Sequence, residues 1–225
     1  MALILSIDTS NEKALISLAN DDQIISFLSN TDQKDHASFL HPALKDLLQK
    51  ADHTLSELDA VAVVIGPGSY TGLKVAMATA KGLCYALQIP LISLNGLELL
   101  ALSAINSSKK NMLYCPMIDA RRMEVYTALY DENIKVLIEP CAMILDRNSF
   151  SEILDSKGIY FFGNGAPKFS DIIENSNAFF IDVSVLPEVM TNKSYELHMA
   201  KIFADPATAE PLYLKEFYTI GVPKK

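Results

Sequence analysis

Three short apolar segments open the chain, separated by polar turns. Residues 3–8, 13–19 and 22–28 are rich in Leu, Ile and Ser, while 9–12 and 20–21 between them are polar. Extended runs of this length joined by short polar turns are typical of consecutive antiparallel strands. The pattern therefore predicts a three-stranded meander at the start of the chain.

The segment that follows has the period of an amphipathic helix. Pro42 lies near its start, so a helix over about 38–51 either begins close to Leu40 or is kinked there. The apolar positions recur every three or four residues, as expected for a helix with one buried face: Leu40, Leu44, Leu47, Leu48 and Ala51.

Strands and helices then alternate. Residues 60–65 are apolar throughout, which is typical of a strand covered on both faces. A glycine-rich turn leads into a predicted helix at 70–87, and a further strand at 91–94 leads into a third helix at 95–106. The predicted order of the first half is βββαβαβα.

The opening pattern recurs after a polar linker at 106–111. Aligned without gaps at an offset of 111, residues 6–21 match 117–132, so that Asp8 corresponds to Asp119. A repeat of about half the chain indicates two similar lobes. This layout is similar to that of the actin, hexokinase and Hsp70 superfamily, so we expect an α/β fold of two ribonuclease-H-like lobes, the second one reduced.

The predicted boundaries are 1–106 for the N-terminal lobe, 112–205 for the C-terminal lobe and 206–225 for a tail. Within the second lobe, the pattern predicts elements at 158–163 (strand), 167–174 (helix) and 194–203 (helix). The tail is too apolar to remain in solvent, and we expect it to pack back across a lobe through Leu212, Tyr213, Leu214, Phe217 and Tyr218.

The segment from Gly66 to Lys74, GPGSYTGLK, is the strongest local motif. Gly66 and Gly68 permit unusual backbone angles, and amides at a helix N-terminus can bind an anion or a nucleotide phosphate. The alternative is a tight strand-to-helix turn in which Ser69 caps the helix. The spacing fits neither a Walker A loop nor a dinucleotide-binding fingerprint.

The helix predicted at 70–87 carries a stripe of small residues. A partner helix could approach this stripe closely, or the helix could be buried within its own lobe. The stripe consists of Gly72, Ala76, Thr79 and Ala86 with Leu83 in its middle, flanked by Leu73, Met77, Ala80, Cys84 and Leu87.

Asp8 and Asp119 end equivalent strands, where the superfamily places groups around nucleotide phosphates and metal. The first hairpin, Thr9–Ser10–Asn11–Glu12, lacks the glycine that lets a backbone approach phosphate, which argues against an ATPase. Arg121 and its neighbour Arg122 could neutralise an anion in an interlobe cleft or lie in a solvated hairpin.

Charge and composition limit the function further. The net charge is −8 and the pI about 5.0, so clustered cations for RNA phosphates are scarce. No apolar stretch approaches the roughly 20 residues that span a bilayer, and the N-terminus lacks the basic region of a signal peptide. The three cysteines and four histidines have neither disulfide nor metal spacing. We expect a cytoplasmic protein that binds no metal.

Four motifs together resemble the TsaB (YeaZ) family. They are IDTS at 7–10, GPGSYTGLKVAMATAKGL at 66–83, PLISLNGLELLA at 90–101 and IDARRMEVYTALY at 118–130, and EPLYLK at 210–215 also fits. The resemblance implies a scaffold that pairs with a TsaD-type subunit, the transferase that attaches threonylcarbamoyl to the adenosine beside the anticodon of tRNAs reading codons that begin with A.

In TsaD-like proteins the segment after the PLI strand carries two metal-binding histidines, but here Gly96 and Leu100 occupy those positions. The family therefore implies a non-catalytic subunit, with no metal and no cofactor bound by this chain alone. It also implies a TsaE-type ATPase as a further partner, tRNA contacted only through the complex, and no membrane. ATP or ADP at a partner interface and a homodimer of the free chain are alternatives left open.

The family pairs through its first two helices, here 38–51 and 70–87. The partner-binding residues expected from this are Leu40, Leu44, Leu47, Gly72, Leu73, Ala76, Met77, Thr79, Ala80 and Leu83. The residues expected to contact an anion or nucleotide are Asp8, Thr9, Ser10, Gly66, Gly68, Ser69, Asp119 and Arg121. The competing hypothesis is an independent actin-like small-molecule kinase or ATPase.

Overall fold

The first half of the chain forms a five-stranded mixed sheet. The computed structural model describes residues 1–31, 36–107 and 111–215. The strands of the first sheet are β1 (Leu3–Asp8), β2 (Ala14–Asn20), β3 (Gln23–Asn30), β4 (Ala60–Gly66) and β5 (Leu91–Asn95). Their spatial order is β3-β2-β1-β4-β5, with the first three antiparallel and β4 and β5 parallel to β1. The predicted meander is confirmed.

The second half repeats this sheet. Its strands are β6 (Leu113–Asp119), β7 (Glu124–Tyr130), β8 (Val136–Ile144), β9 (Ile159–Phe162) and β10 (Ala178–Phe180). The spatial order β8-β7-β6-β9-β10 reproduces that of the first sheet. The helices after β8 and β9, α4 (Ser151–Leu154) and α5 (Ala166–Ser170), are only about one turn long. The predicted α/β fold of two ribonuclease-H-like lobes, the second reduced, is confirmed.

The helices of the first lobe lie where the periodicity places them. They are α1 (His36–Lys50), α2 (Tyr70–Leu87) and α3 (Gly96–Ser107), with a 3₁₀ turn at Leu55–Glu57 after α1. The order βββαβαβα is confirmed, and Pro42 lies inside α1 rather than at its start.

The helix near residue 190 differs from the expectation in both position and packing. The predicted helix at 194–203 is instead α6 (Pro187–Met199), which begins with a proline in its first turn and ends before Lys201, at φ 55°. It packs on the first sheet, where Ser194 Oγ lies 3.0 Å from Ser6 Oγ. An element expected in the second lobe therefore covers the first.

Each face of the first sheet is covered by two helices. On one side α1 and α2 pack over Leu5, Ile7 and Val61. On the other, α3 and α6 pack on a cluster that continues into the second sheet through Ile118 and Phe162. One apolar cluster therefore extends across both lobes, beside a separate cluster within each.

The ungapped alignment of the two halves is correct for the first strand of each hairpin and is displaced by one residue in the second strand. Asp8 pairs with Leu15, whereas Asp119 pairs with Val125. The connection between β6 and β7 is one residue shorter than that between β1 and β2. The alignment of the two halves therefore needs a one-residue gap in this hairpin. Without the gap, every later residue would be matched to one on the opposite face of the sheet.

The described part of the tail lies along the first lobe. Ala204 N donates to Leu91 O at 2.8 Å, and Leu212 N donates to Ile65 O at 2.7 Å. Lys81 Nζ donates to the Ala209 carbonyl at 3.0 Å. We refer to residues 204–215 as the C-terminal strap. Phe217 and Tyr218, expected to pack with it, lie outside the described residues.

Candidate functional site

The GPGS segment packs against the first hairpin through its backbone. Ser69 N donates to Ser10 O at 2.7 Å, and Thr9 Oγ1 donates to Gly72 O at 2.7 Å. A Cβ built at Gly68 would lie 2.1 Å from Ser10 O, and one at Gly72 would lie 2.0 Å from Thr9 O. These glycines therefore allow the loop and α2 to contact the backbone of the hairpin.

This packing gives Ser69 a structural role. Its hydroxyl accepts from Gly72 N at 3.3 Å, so it is the N-cap of α2, while its amide is occupied by Ser10 O. Gly66 adopts φ 121°, a conformation that disfavours any side chain. The segment therefore forms the tight strand-to-helix turn in which Ser69 caps the helix. The amide of Ser69 is bonded within the protein and is not directed toward a ligand.

Asp8 lies at the wall of a cleft between the lobes. It is 2% exposed and accepts hydrogen bonds from Ser10 N at 2.8 Å and Ser10 Oγ at 2.6 Å. The cleft has a volume of about 280 Å³, and its charged lining consists of Asp8, Glu12, Asp182 and Lys13. Three carboxylates against one amine make this cavity unfavourable for a phosphate.

Asp119 does not line that cleft. Burial opposes its ionisation, but hydrogen bonds from Lys168 Nζ at 2.7 Å and from Arg121 N at 2.5 Å outweigh burial and lower the pKa of the Asp119 carboxyl. The two strand-end carboxylates therefore have different surroundings: Asp8 caps a buried turn, and Asp119 pairs with a lysine.

A second and larger groove lies between the β6–β7 hairpin and the C-terminal strap. Its volume is about 960 Å³. Arg121 and Arg122, for which an interlobe cleft and a solvated hairpin were the two alternatives, do not line the cleft beside Asp8 but this groove, opposite Tyr70 and Tyr213. Sequence reasoning missed the groove because its two walls lie about 90 residues apart in the chain, although the Arg pair and the aromatic tail were each visible.

Most of the residues expected to contact a partner are buried inside the first lobe. Their exposed fractions do not exceed 9%, so in the free chain these residues pack within the lobe: Leu40, Leu44, Leu47, Gly72, Leu73, Ala76, Met77, Thr79 and Ala80. The small stripe lets α2 approach its own neighbours, since Thr79 Oγ1 lies 3.4 Å from His41 Nε2 of α1. Leu83 alone of the set is half-buried.

The outer face of α2 is different. It consists of residues spaced by three or four positions, all exposed: Ala78, Gly82, Tyr85 and Ala86. Tyr85 is 79% exposed, and no described atom beyond the adjoining residues and backbone of α2 lies within 4 Å of a Cβ built at Gly82. We refer to these four residues as the outer α2 face.

Gly96 and Leu100, the positions expected from the resemblance to correspond to metal-binding histidines, lie in the packed interior and at the interlobe cleft respectively. A Cβ at Gly96 would lie 3.3 Å from Val64 Cγ1, and Leu100 is 4% exposed. Glu98, between them, pairs with Lys193 at 3.0 Å. Across residues 1–31, 36–107 and 111–215, no three His, Cys, Asp or Glu side chains are grouped so that they could share a metal ion.

None of the helices within the described ranges combines the length and hydropathy needed to cross a membrane.

Comparison with known families and structures gives a consistent result. A family model described as TsaD, tRNA N6-adenosine threonylcarbamoyltransferase, matches residues 27–189. A Bacillus subtilis protein named tRNA threonylcarbamoyladenosine biosynthesis protein TsaB is 39% identical over 127 residues, covering 56% of this chain and 54% of the relative. An Escherichia coli protein of the same name is 32% identical over 132 residues, covering 58% and 56%. The chain thus spans less than two thirds of these curated relatives.

The solved structure of YeaZ from Pseudomonas aeruginosa superposes with a TM-score of 0.77 at 25% identity, covering 95% of this chain and all of that one. A second structure from that organism, described as an uncharacterised protein with similarity to peptidase YeaZ, gives a TM-score of 0.82 at 24% identity over 96% of this chain and all of that one. The first-lobe and second-lobe sheets therefore form a known fold.

Proposed function

Since the chain belongs to the TsaD-like family and is a TsaB (YeaZ) member of it, we propose that it is a non-catalytic scaffold subunit in the biosynthesis of threonylcarbamoyladenosine in tRNA. In this role it pairs with a TsaD-type transferase, a TsaE-type ATPase joins the assembly, and tRNA is contacted through the complex. The names of the relatives and the family model support a part in threonylcarbamoyladenosine biosynthesis. The proposal that the chain is non-catalytic rests on the residues at positions 96 and 100.

The observation that carries the non-catalytic role is the packing around Gly96 and Leu100. Two histidines one helical turn apart are needed to hold a metal from one face of a helix. Here Asn95 Oδ1 accepts from Leu97 N at 2.9 Å, which caps α3. Gly96 packs against Val64, and Leu100 lines the interlobe cleft with a side chain that cannot bind a metal. The local structure is therefore built for packing rather than for coordination.

The lining of the interlobe cleft does not support the alternative function, an actin-like kinase or ATPase. Nucleotide phosphates need closely approaching backbone amides or cations. The first hairpin has no glycine, its Ser10 amide is bonded to Asp8, and Glu12 adds a second carboxylate to the wall.

We place the surface for the TsaD-type subunit on the outer α2 face. Small residues at Ala78, Gly82 and Ala86 would let a partner helix approach closely, and Tyr85 provides a large side chain of the kind enriched at interfaces. In the free chain 79% of the Tyr85 surface is exposed, and a partner helix could bury it.

The test is Gly82→Arg, measured by co-elution and calorimetry with the TsaD-type subunit. Open space around position 82 means that the free chain should fold normally, while the cation would prevent close helix contact. A loss of about 3 kcal/mol corresponds to a more than hundredfold weaker Kd.

Two controls make the result specific. Gly82→Ala keeps the position small and should pair normally, and Asn192→Arg puts the same cation on the exposed surface of α6. A folded Gly82→Arg chain that pairs with unchanged affinity would remove α2 from the interface. Transfer of threonylcarbamoyl to tRNA by the purified chain alone would refute the non-catalytic role.

A further inference from the structure

The groove between the β6–β7 hairpin and the C-terminal strap has apolar side chains on both of its walls. Tyr70 and Tyr213 pack at 5.6 Å between ring centroids on one side. Across from them, Met123 is 39% and Ile144 75% exposed. The volume of about 960 Å³ is at the upper end of cavities that enclose small ligands. We refer to it as the basic groove.

Its charge is opposite to that of the rest of the protein. Three cations, Arg121, Arg122 and Lys215, and one carboxylate, Glu124, line it. Lys215 pairs with Glu124, whereas neither arginine forms an ion pair with an acid in the described part of the chain. Within residues 1–31, 36–107 and 111–215, these two guanidinium groups thus have no carboxylate at ion-pair distance, in a groove of a chain whose net charge is −8.

The backbone that carries these arginines is in a conformation that residues with a Cβ disfavour. Arg121 has φ 71° and Arg122 φ 49°. Hairpin turns with positive φ ordinarily use Asn, Asp or Gly. Residues with a side chain that are held at positive φ cluster at ligand-binding and active sites, although they also occur in ordinary turns.

We propose that the basic groove binds an acidic polypeptide segment of a partner protein, one that alternates carboxylates with apolar side chains. The guanidinium fork matches a carboxylate with two parallel hydrogen bonds. The tyrosines, Met123 and Ile144 provide the apolar contacts, and an extended groove of this size accepts several residues of a chain.

RNA fits the same groove less well. Single-stranded RNA is held by several cations along its backbone, and its association depends on a favourable long-range field. Here the two arginines lie on a molecule of net charge −8, which repels a polyanion at a distance. A short peptide with a few carboxylates is repelled less and gains more from the apolar walls.

This surface is separate from the one assigned to the TsaD-type subunit. Tyr70 begins α2, and Gly82 lies twelve positions further along it, about 18 Å at the rise of an α-helix. The inference therefore goes beyond the scaffold proposal and can be tested on the chain alone.

The experiment uses the full chain and a phage-displayed library of random twelve-residue peptides. Selection on the wild type is compared with selection on Arg121→Glu/Arg122→Glu. We expect enriched peptides that combine Asp or Glu with Phe, Leu, Ile or Met, and we expect the best synthetic one to bind the double variant at least tenfold more weakly in fluorescence anisotropy. Arg147→Glu/Lys201→Glu makes the same charge change elsewhere on the exposed surface and should leave binding unchanged.

The remaining outcomes overturn the proposal. Enrichment of peptides without acidic residues, or of peptides that bind the double variant equally well, would show that the arginines do not select the ligand. A labelled twelve-nucleotide poly(U) RNA that binds more tightly than any peptide, and only to intact arginines, would assign the groove to RNA. Self-association in sedimentation that the double variant abolishes would assign it to a second copy. If the charge reversal prevents folding, each comparison is repeated with Arg121→Gln/Arg122→Gln.

Discussion

Gly72 and Thr9 are in backbone contact: the Thr9 hydroxyl donates to the Gly72 carbonyl at 2.7 Å, and a Cβ at position 72 would lie 2.0 Å from the Thr9 carbonyl oxygen. The contact joins the N-terminal turn of α2 to the end of β1. It explains why a helix otherwise rich in alanine and leucine carries glycine at this position.

Gly72→Ala should therefore destabilise the protein by about 1–3 kcal/mol, the usual cost of forcing extra volume into a packed site. Gly82→Ala is the matched control in the same helix. It meets no atom within 4 Å and should stabilise the protein by about 0.5–1 kcal/mol. Urea unfolding of both variants measures the difference, and equal effects of the two changes would show that the contact with Thr9 is not constraining.

A cation at position 76 should prevent folding of the first lobe. Ala76 is fully buried among α1, α2 and β4, so Ala76→Arg would place an unpaired charge in the interior at a cost of several kcal/mol. Ala78→Arg, two positions on and exposed, should leave the melting temperature nearly unchanged. Circular dichroism distinguishes them. A well-folded Ala76→Arg chain would contradict the buried orientation of this stripe.

The helix wheel could not distinguish these orientations from sequence. A stripe of small residues fits close approach by α1 as well as by a partner, and only the position of α1, fixed by contacts such as His41 with Thr79, decides between them. The three strands and α2 were predictable because their periods and the Ser69 cap are local. The strand β8 was missed because Glu139 and Pro140 interrupt its apolar pattern, and α6 was misplaced because its packing on Ser6 depends on residues nearly 190 positions away.

Removing Met190 should weaken both lobes together. Met190 is fully buried in the cluster that joins α6 and α3 to the first sheet and to Ile118 of the second. Met190→Ala should cost about 2–5 kcal/mol and reduce hydrogen-exchange protection in β1 and β6 alike. Met199→Ala, at a position 63% exposed in the same helix, should have little effect. Loss of protection confined to one sheet would show that the core is not shared.

The buried thiols should make stability fall in alkaline solution. Burial raises the pKa of Cys84 to about 11 and that of Cys115 to about 12, from 9.0. Above pH 9 the unfolded chain loses these protons while the folded chain keeps them. The unfolded state then binds fewer protons, and the free energy of unfolding decreases as pH rises.

Cys84→Ala should therefore show a shallower decrease between pH 9 and 11 than the parent in urea unfolding. Native thiol titration should modify Cys141 first, since it is only partly buried. A variant whose stability falls as steeply as the parent's would show that the Cys84 thiolate is tolerated in the folded state.

The return of α6 to the first sheet has a consequence for synthesis on the ribosome. The face of that sheet that carries Ile4 and Val64 is complete only when Pro187–Met199 has been made. At about 5–20 residues per second, the stretch from Ser107 to Met199 takes several seconds to emerge. During that interval the nascent first lobe presents an uncovered apolar face, so its folding is completed only when α6 has emerged and packed on it.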